Sequence, residues 1–222
     1  MDVVTDLPPD QHLPSRRNCL VALMGMLAGA SCRPTPTSPN PTPTPKPGSP
    51  ALPTVGAQSS LIEGITGVTR AAQSAAPRSL LIRAEGYVGF NGRIGLKDAW
   101  NFFFAYQDGA NYPWDRWTVF GDGTVEYKKN ESQIGSIEFN DLSDAIKTDS
   151  PGLITTALGL GLQHCVDIGR APWSTSMVIR YRFGSPVAEI SLCDKDGVSQ
   201  GDLWLNPADA RPMFSNIKCQ SL

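Results

Sequence analysis

The sequence predicts an α+β fold built as two units, each a helix packed on an antiparallel meander. A helix-patterned run precedes strand-patterned segments twice along the chain, those segments alternate apolar and polar residues, and glycine-bearing turns separate them.

From the N-terminus, Ser15-Arg16-Arg17 leads into an uncharged apolar run from Cys19 to Ala30. About a dozen apolar residues cannot cross a bilayer, which needs roughly 20. A positive start, a short apolar run and then small residues are expected of a cleaved secretory signal, here residues 1–31. Gly29-Ala30-Ser31-Cys32 resembles the lipobox of bacterial lipoproteins, with Gly29 where that family usually has Leu. The resemblance implies that the Cys32 thiol is acylated, becomes the mature N-terminus and holds the chain on a membrane. Ser15-Arg16-Arg17-Asn18-Cys19-Leu20 is in turn similar to the twin-arginine export signal, which implies export of an already folded domain.

Residues 32–56 are the expected anchor cysteine and linker. From Arg33 to Pro53 the chain alternates proline with small polar residues and has almost nothing to bury. Proline fixes φ and removes donors, so this stretch should be an extended spacer of about 3.1 Å per residue, roughly 65 Å in all.

The first unit spans residues 57–140. Leu61, Ile65, Val68, Ala72 and Ala75 fall at helical spacing, and Pro77 ends the run. Ser79–Ala84 reads as a strand, with Gly86–Gly95 as its connection. Trp100, Phe102, Phe104 and Tyr106 alternate with Asn101, Phe103 and Ala105, a period of two that puts four large aromatic residues on one sheet face. Trp117–Phe120 and Thr124–Tyr127, joined by Gly121-Asp122-Gly123, read as a hairpin.

The second unit, residues 141–222 with a C-terminal tail, opens at Ser150-Pro151, where serine can cap a helix and proline suits its first position. Gly152, Gly159 and Gly161 weaken that helix, which favours its lying close against a sheet. Met177–Phe183, Ala188–Leu192 and Leu203–Leu205 then read as strands. This layout resembles the PepSY-like and cystatin-like families of small exported modules over residues 57 to 210. The aromatic strand, the Gly121-Asp122-Gly123 turn and the closing Gly201–Pro207 segment carry the likeness. It implies a protease inhibitor or regulator acting through an exposed loop, and brings no catalytic set with it.

The net charge of −2, with both signs interspersed, excludes the basic field that draws nucleic acid. Cys165, Cys193 and Cys219 lie in the folded part, so an oxidising compartment permits one disulfide between two of them. His164 is the folded region's only histidine, and on a helix it points about 100° away from Cys165, so the pair supplies no nucleophile and base. Asp194-Lys195-Asp196-Gly197 with Asp202 departs from the calcium-loop pattern and reads as a turn. Phosphate loop, dinucleotide fingerprint and nucleophile elbow are absent from the sequence. No catalytic, cofactor-binding or metal residues are therefore assigned.

The expectation is a non-enzymatic, lipid-anchored envelope module that binds a protein, peptide or cell-wall glycan. Tyr112, Trp114 and Trp117 are its candidate contacts among aromatic residues otherwise expected in the core. A small hydrolase is the alternative that would require Asp98, Asp108, Asp115 and Glu126 to converge in the fold.

Overall fold

Helix α1, Leu61–Ala75, starts where Ser60 and Glu63 form a capping box: Glu63 accepts from the Ser60 amide at 2.8 Å and the Ser60 hydroxyl accepts from the Glu63 amide. Leu61, Ile65, Val68 and Ala72 are buried, as the spacing predicts. Gly64 allows close approach, because a Cβ there would stand 2.7 Å from the Phe102 ring. The computed structural model describes residues 50–108, 111–133, 140–167, 174–193 and 199–218. The leader, Cys32, nearly all of the spacer, the Asp194–Gly197 turn and Cys219 lie outside the described residues.

Among the described residues eight strands follow: β1 Leu80–Val88, β2 Ala99–Ala105, β3 Pro113–Phe120, β4 Val125–Gln133, β5 Ser174–Arg182, β6 Ser185–Cys193, β7 Ser199–Leu205 and β8 Pro212–Ile217. They form one antiparallel sheet in the order β4-β3-β2-β1-β5-β6-β7-β8. This corrects the expected pair of separate helix-plus-meander units: the fold is β-rich, with few and mostly short helices around a single sheet. The cause is the seam between β1 and β5, where Arg83 pairs with Arg180 and the register continues to Val88 opposite Thr175. Each of these strands opens its own meander and would otherwise expose a row of backbone donors and acceptors. Pairing them removes two edges at once.

Between the meanders lie α2, Leu142–Ala145, α3, Ser150–Ala157, and α4, Gln163–Asp167. The cap of α3 is Asp149, one residue before the expected Ser150, with Pro151 in the first turn. Residues Leu158–Leu162 form a wider π turn between α3 and α4, and Gly161 sits there at φ 120°, a conformation that favours glycine.

The core lies on one sheet face. Trp100, Phe102, Phe104, Trp117, Met177, Ile179, Ile190 and Leu203 are essentially inaccessible there, with α1 over β2 and β3 and α3 over β6. Such burial is worth roughly 1.5–3 kcal/mol for each large apolar side chain. The Trp100 indole N–H is satisfied by the Ser59 carbonyl at 3.2 Å. By register, the other face carries Phe103, Arg116, Arg180, Glu189 and Trp204.

Candidate ligand groove

Asp115 breaks the apolar pattern of the helix-covered face. In β3 it shares parity with Trp117 and Val119, and the register sets it between Phe104 of β2 and Lys129 of β4. Its accessibility is only 3%. Burying a carboxylate is costly unless it is hydrogen-bonded, and here the Tyr127 hydroxyl donates to Asp115 Oδ2 at 2.9 Å. Burial, reinforced by that hydrogen bond and the negative charge of Asp115, pushes the Tyr127 phenol well above its usual range. Tyr127 is thus a protonated donor at physiological pH. Its ring is fixed against Trp117 at 4.8 Å between centroids.

These two residues lie in a groove of 1510 Å³. One wall is the polar face of α1, with Thr66, Thr69, Arg70 and Gln73; the other holds Tyr106, Asp108, Asp115, Tyr127 and Lys129; Pro50–Pro53 form a rim. The groove lies where α1 packs over β2 and β3, between the polar face of the helix and the ends of these strands and β4. Its lining offers two carboxylates, two phenols, hydroxyls, two amides and two cations, a set suited to hydrogen-bonded recognition of a polar ligand.

Of the four acids a hydrolase would need, Asp108 and Asp115 line this groove. Asp98 is remote, its carbonyl accepting from Gly121 at the β3–β4 turn, and Glu126 is exposed opposite Thr118. The three candidate contact residues are dispersed. Tyr112 lines a small hollow with Pro77, Leu80, Ala105 and Tyr106; Trp114 is half-buried with its ring edge against Phe103 at 5.2 Å; Trp117 is fully buried in the core.

His164 is exposed on α4, while its neighbour Cys165 is buried and disulfide-bonded. Cys193, half-buried at the end of β6, carries a thiol. Asp202 accepts from the Ser191 hydroxyl at 2.7 Å. Among the described residues, no three His, Cys, Asp or Glu side chains are grouped to hold a metal, and no helix is long and apolar enough to cross a membrane.

Sequence reasoning missed Tyr127, Lys129 and the α1 wall. The available signal was parity: a carboxylate at 115 in step with Trp117 and Val119 marks an acid facing the core. It also missed Phe183, which is 93% exposed at the β5–β6 turn and adopts φ 51°. That is an uncommon conformation for a bulky residue.

The fold and groove define a β-rich module with one sheet face under helices. No family model matches the chain, and no curated protein matches it in sequence. Among solved structures it is similar to a candidate lipoprotein from Clostridium difficile 630, at 13% identity and a TM-score of 0.44, covering 71% of this chain and 97% of that one. At that level the likeness assigns neither a family nor a role.

Proposed function

We propose that this chain is an exported, lipid-anchored, non-enzymatic binding module, and that the groove beside α1 holds its ligand. The observation that carries this reading is the buried Asp115–Tyr127 pair beneath an open, polar-walled groove. A carboxylate at 3% accessibility in an otherwise apolar layer costs stability, and its place at the groove floor gives that cost a use. The ligand class is a cell-wall glycan or peptide, whose hydroxyl and amine groups match the acceptors and donors of the lining. Cys32 and the proline-rich spacer supply the anchor and reach.

The test is a calorimetric titration of soluble peptidoglycan fragments into the protein and into Thr69→Trp, which obstructs the groove from the exposed side of α1. Saturable binding that Thr69→Trp removes, with folding unchanged, supports the reading. Absence of binding by the unsubstituted protein, or binding indifferent to Thr69→Trp, refutes it.

Phe183 favours a second reading, a regulator of a protease or other envelope protein acting through an exposed loop. A single aromatic side chain projecting from a tight hairpin suits insertion into a partner's pocket. In that case Phe183→Ser abolishes capture of the partner and Thr69→Trp leaves it intact.

A further inference from the structure

We propose that the sheet face opposite the helices carries a second binding site, for a phosphorylated sugar, centred on Arg116 and Lys128. In β3, Arg116 lies between Asp115 and Trp117, which are buried under the helices; in β4, Lys128 lies between Tyr127 and Lys129, which line the groove. Strand alternation therefore turns both cations to the open face. The register sets them directly opposite each other, and like charges in that relation destabilise a sheet. The other arginines of this face are compensated: Arg83 pairs with Glu85, while Arg180 and Arg182 share Glu189. Among the described residues neither Arg116 nor Lys128 has an acid within ion-pair distance. The Arg116 Nε is buried without an acceptor, so nothing beneath the guanidinium offsets its charge.

Two adjacent uncompensated cations select a dianion. A phosphate monoester carries about −1.5 to −2 charges at pH 7 and offsets both, where a carboxylate offsets one. The planar guanidinium holds two phosphate oxygens side by side, and the lysine adds a point charge next to them. The sugar follows from what borders the charges. Phe103 is the cross-strand neighbour of Arg116 on the side away from Lys128, and Trp114 stands two residues along β3. Their rings meet edge to face at 5.2 Å, and both are half-buried, which leaves apolar ring surface for the C–H face of a sugar to stack on. In a chain of net charge −2 this is a local pair of cations and not the extended basic field that nucleic acid requires.

Calorimetric titration of glucose 6-phosphate into the full chain in mild detergent tests this. Saturable binding is expected, weakened at least about tenfold by Arg116→Gln and several-fold by Lys128→Gln. Lys97→Gln, which removes an exposed lysine of the β1–β2 connection, should leave it unchanged. Glucose and glucuronate should each bind at least about tenfold more weakly than glucose 6-phosphate. Trp114→Ala should weaken glucose 6-phosphate while leaving the weaker binding of inorganic phosphate as it was, because only the sugar meets the ring. If Arg116→Gln does not fold, Lys128→Gln at its exposed position carries the test. Absence of binding, equal affinity for inorganic phosphate or glucuronate, an equal loss with Lys97→Gln, or binding indifferent to the substitutions at 116 and 128 overturns the proposal.

Discussion

Replacing Asp149 with alanine should unfasten two helices at once. Its carboxylate accepts from the Ser60 hydroxyl at 2.6 Å, the Ile62 amide at 2.9 Å and the Ser150 amide at 2.7 Å, so it sits at the N-termini of α1 and α3 together. Beside it, the Ser150 hydroxyl donates to the Gly92 carbonyl at 2.6 Å and accepts from the Leu61 amide at 2.9 Å. Loss of one helix cap costs about 0.5–2 kcal/mol, and hydrogen bonds to a charged group are worth about 1.5–3 kcal/mol each when buried. Asp149 is half-buried and serves two helix ends, which places the loss at about 2–4 kcal/mol, a large share of the 5–15 kcal/mol typical of a domain. Urea unfolding followed by tryptophan fluorescence reads it directly. Asp149→Asn, which keeps an acceptor but not the charge, should fall between alanine and the native residue. A loss below about 0.5 kcal/mol for alanine, the usual range of an uninvolved surface site, would refute the double-cap reasoning.

Glu63 is held below its ordinary carboxylate value of 4.5, chiefly by its hydrogen bond to Arg93 and then by the Ser60 amide. A depressed folded-state value means that Glu63 stabilises the fold above the unfolded carboxylate's range and loses that contribution as pH falls. The difference in denaturation midpoint between native protein and Glu63→Gln should therefore shrink on acidification; a gap that widens would contradict the sign. Phe183→Asn should stabilise the protein by about 0.5–1 kcal/mol, because asparagine tolerates positive φ in a two-residue hairpin turn, and a lowered melting temperature would count against the assigned turn. Peptide mapping without reductant should join Cys165 to Cys219, the residue two positions beyond the end of β8, while alkylation labels Cys193. Recovery of Cys165 in any other disulfide would exclude this pairing. Cys32→Ala should abolish incorporation of labelled palmitate and release the protein from membranes; retention in the membrane fraction would remove the lipid anchor from the proposal.

Short-range pattern carried much of the secondary structure. The buried stripe of α1, the aromatic alternation of β2 and the alternation of β5 and β6 are legible because side-chain direction repeats within a few residues. The α1 cap was equally local, since Ser60-Leu61-Ile62-Glu63 is a capping-box pattern. β8 gave no such signal, because a strand exposed along nearly its whole length has no buried face to impose alternation. Gly86 made the second half of β1 look like a loop. In the structure that glycine lies against Trp100, where a Cβ would approach the indole to 2.6 Å.

By itself the sequence determined the order of helical and strand-rich stretches between residues 61 and 205, because that order depends on neighbours a few positions apart. Tertiary structure alone decided that the two meanders share one sheet. The β1–β5 seam is made of backbone hydrogen bonds between residues 83–88 and 175–180, groups that every residue pair possesses and no side-chain pattern announces. It likewise distinguished Asp115 from Asp98, Asp108 and Glu126, four acids of similar standing in the chain. Burial on the helix-covered face, beside Tyr127 in the groove along α1, separates the first from the rest.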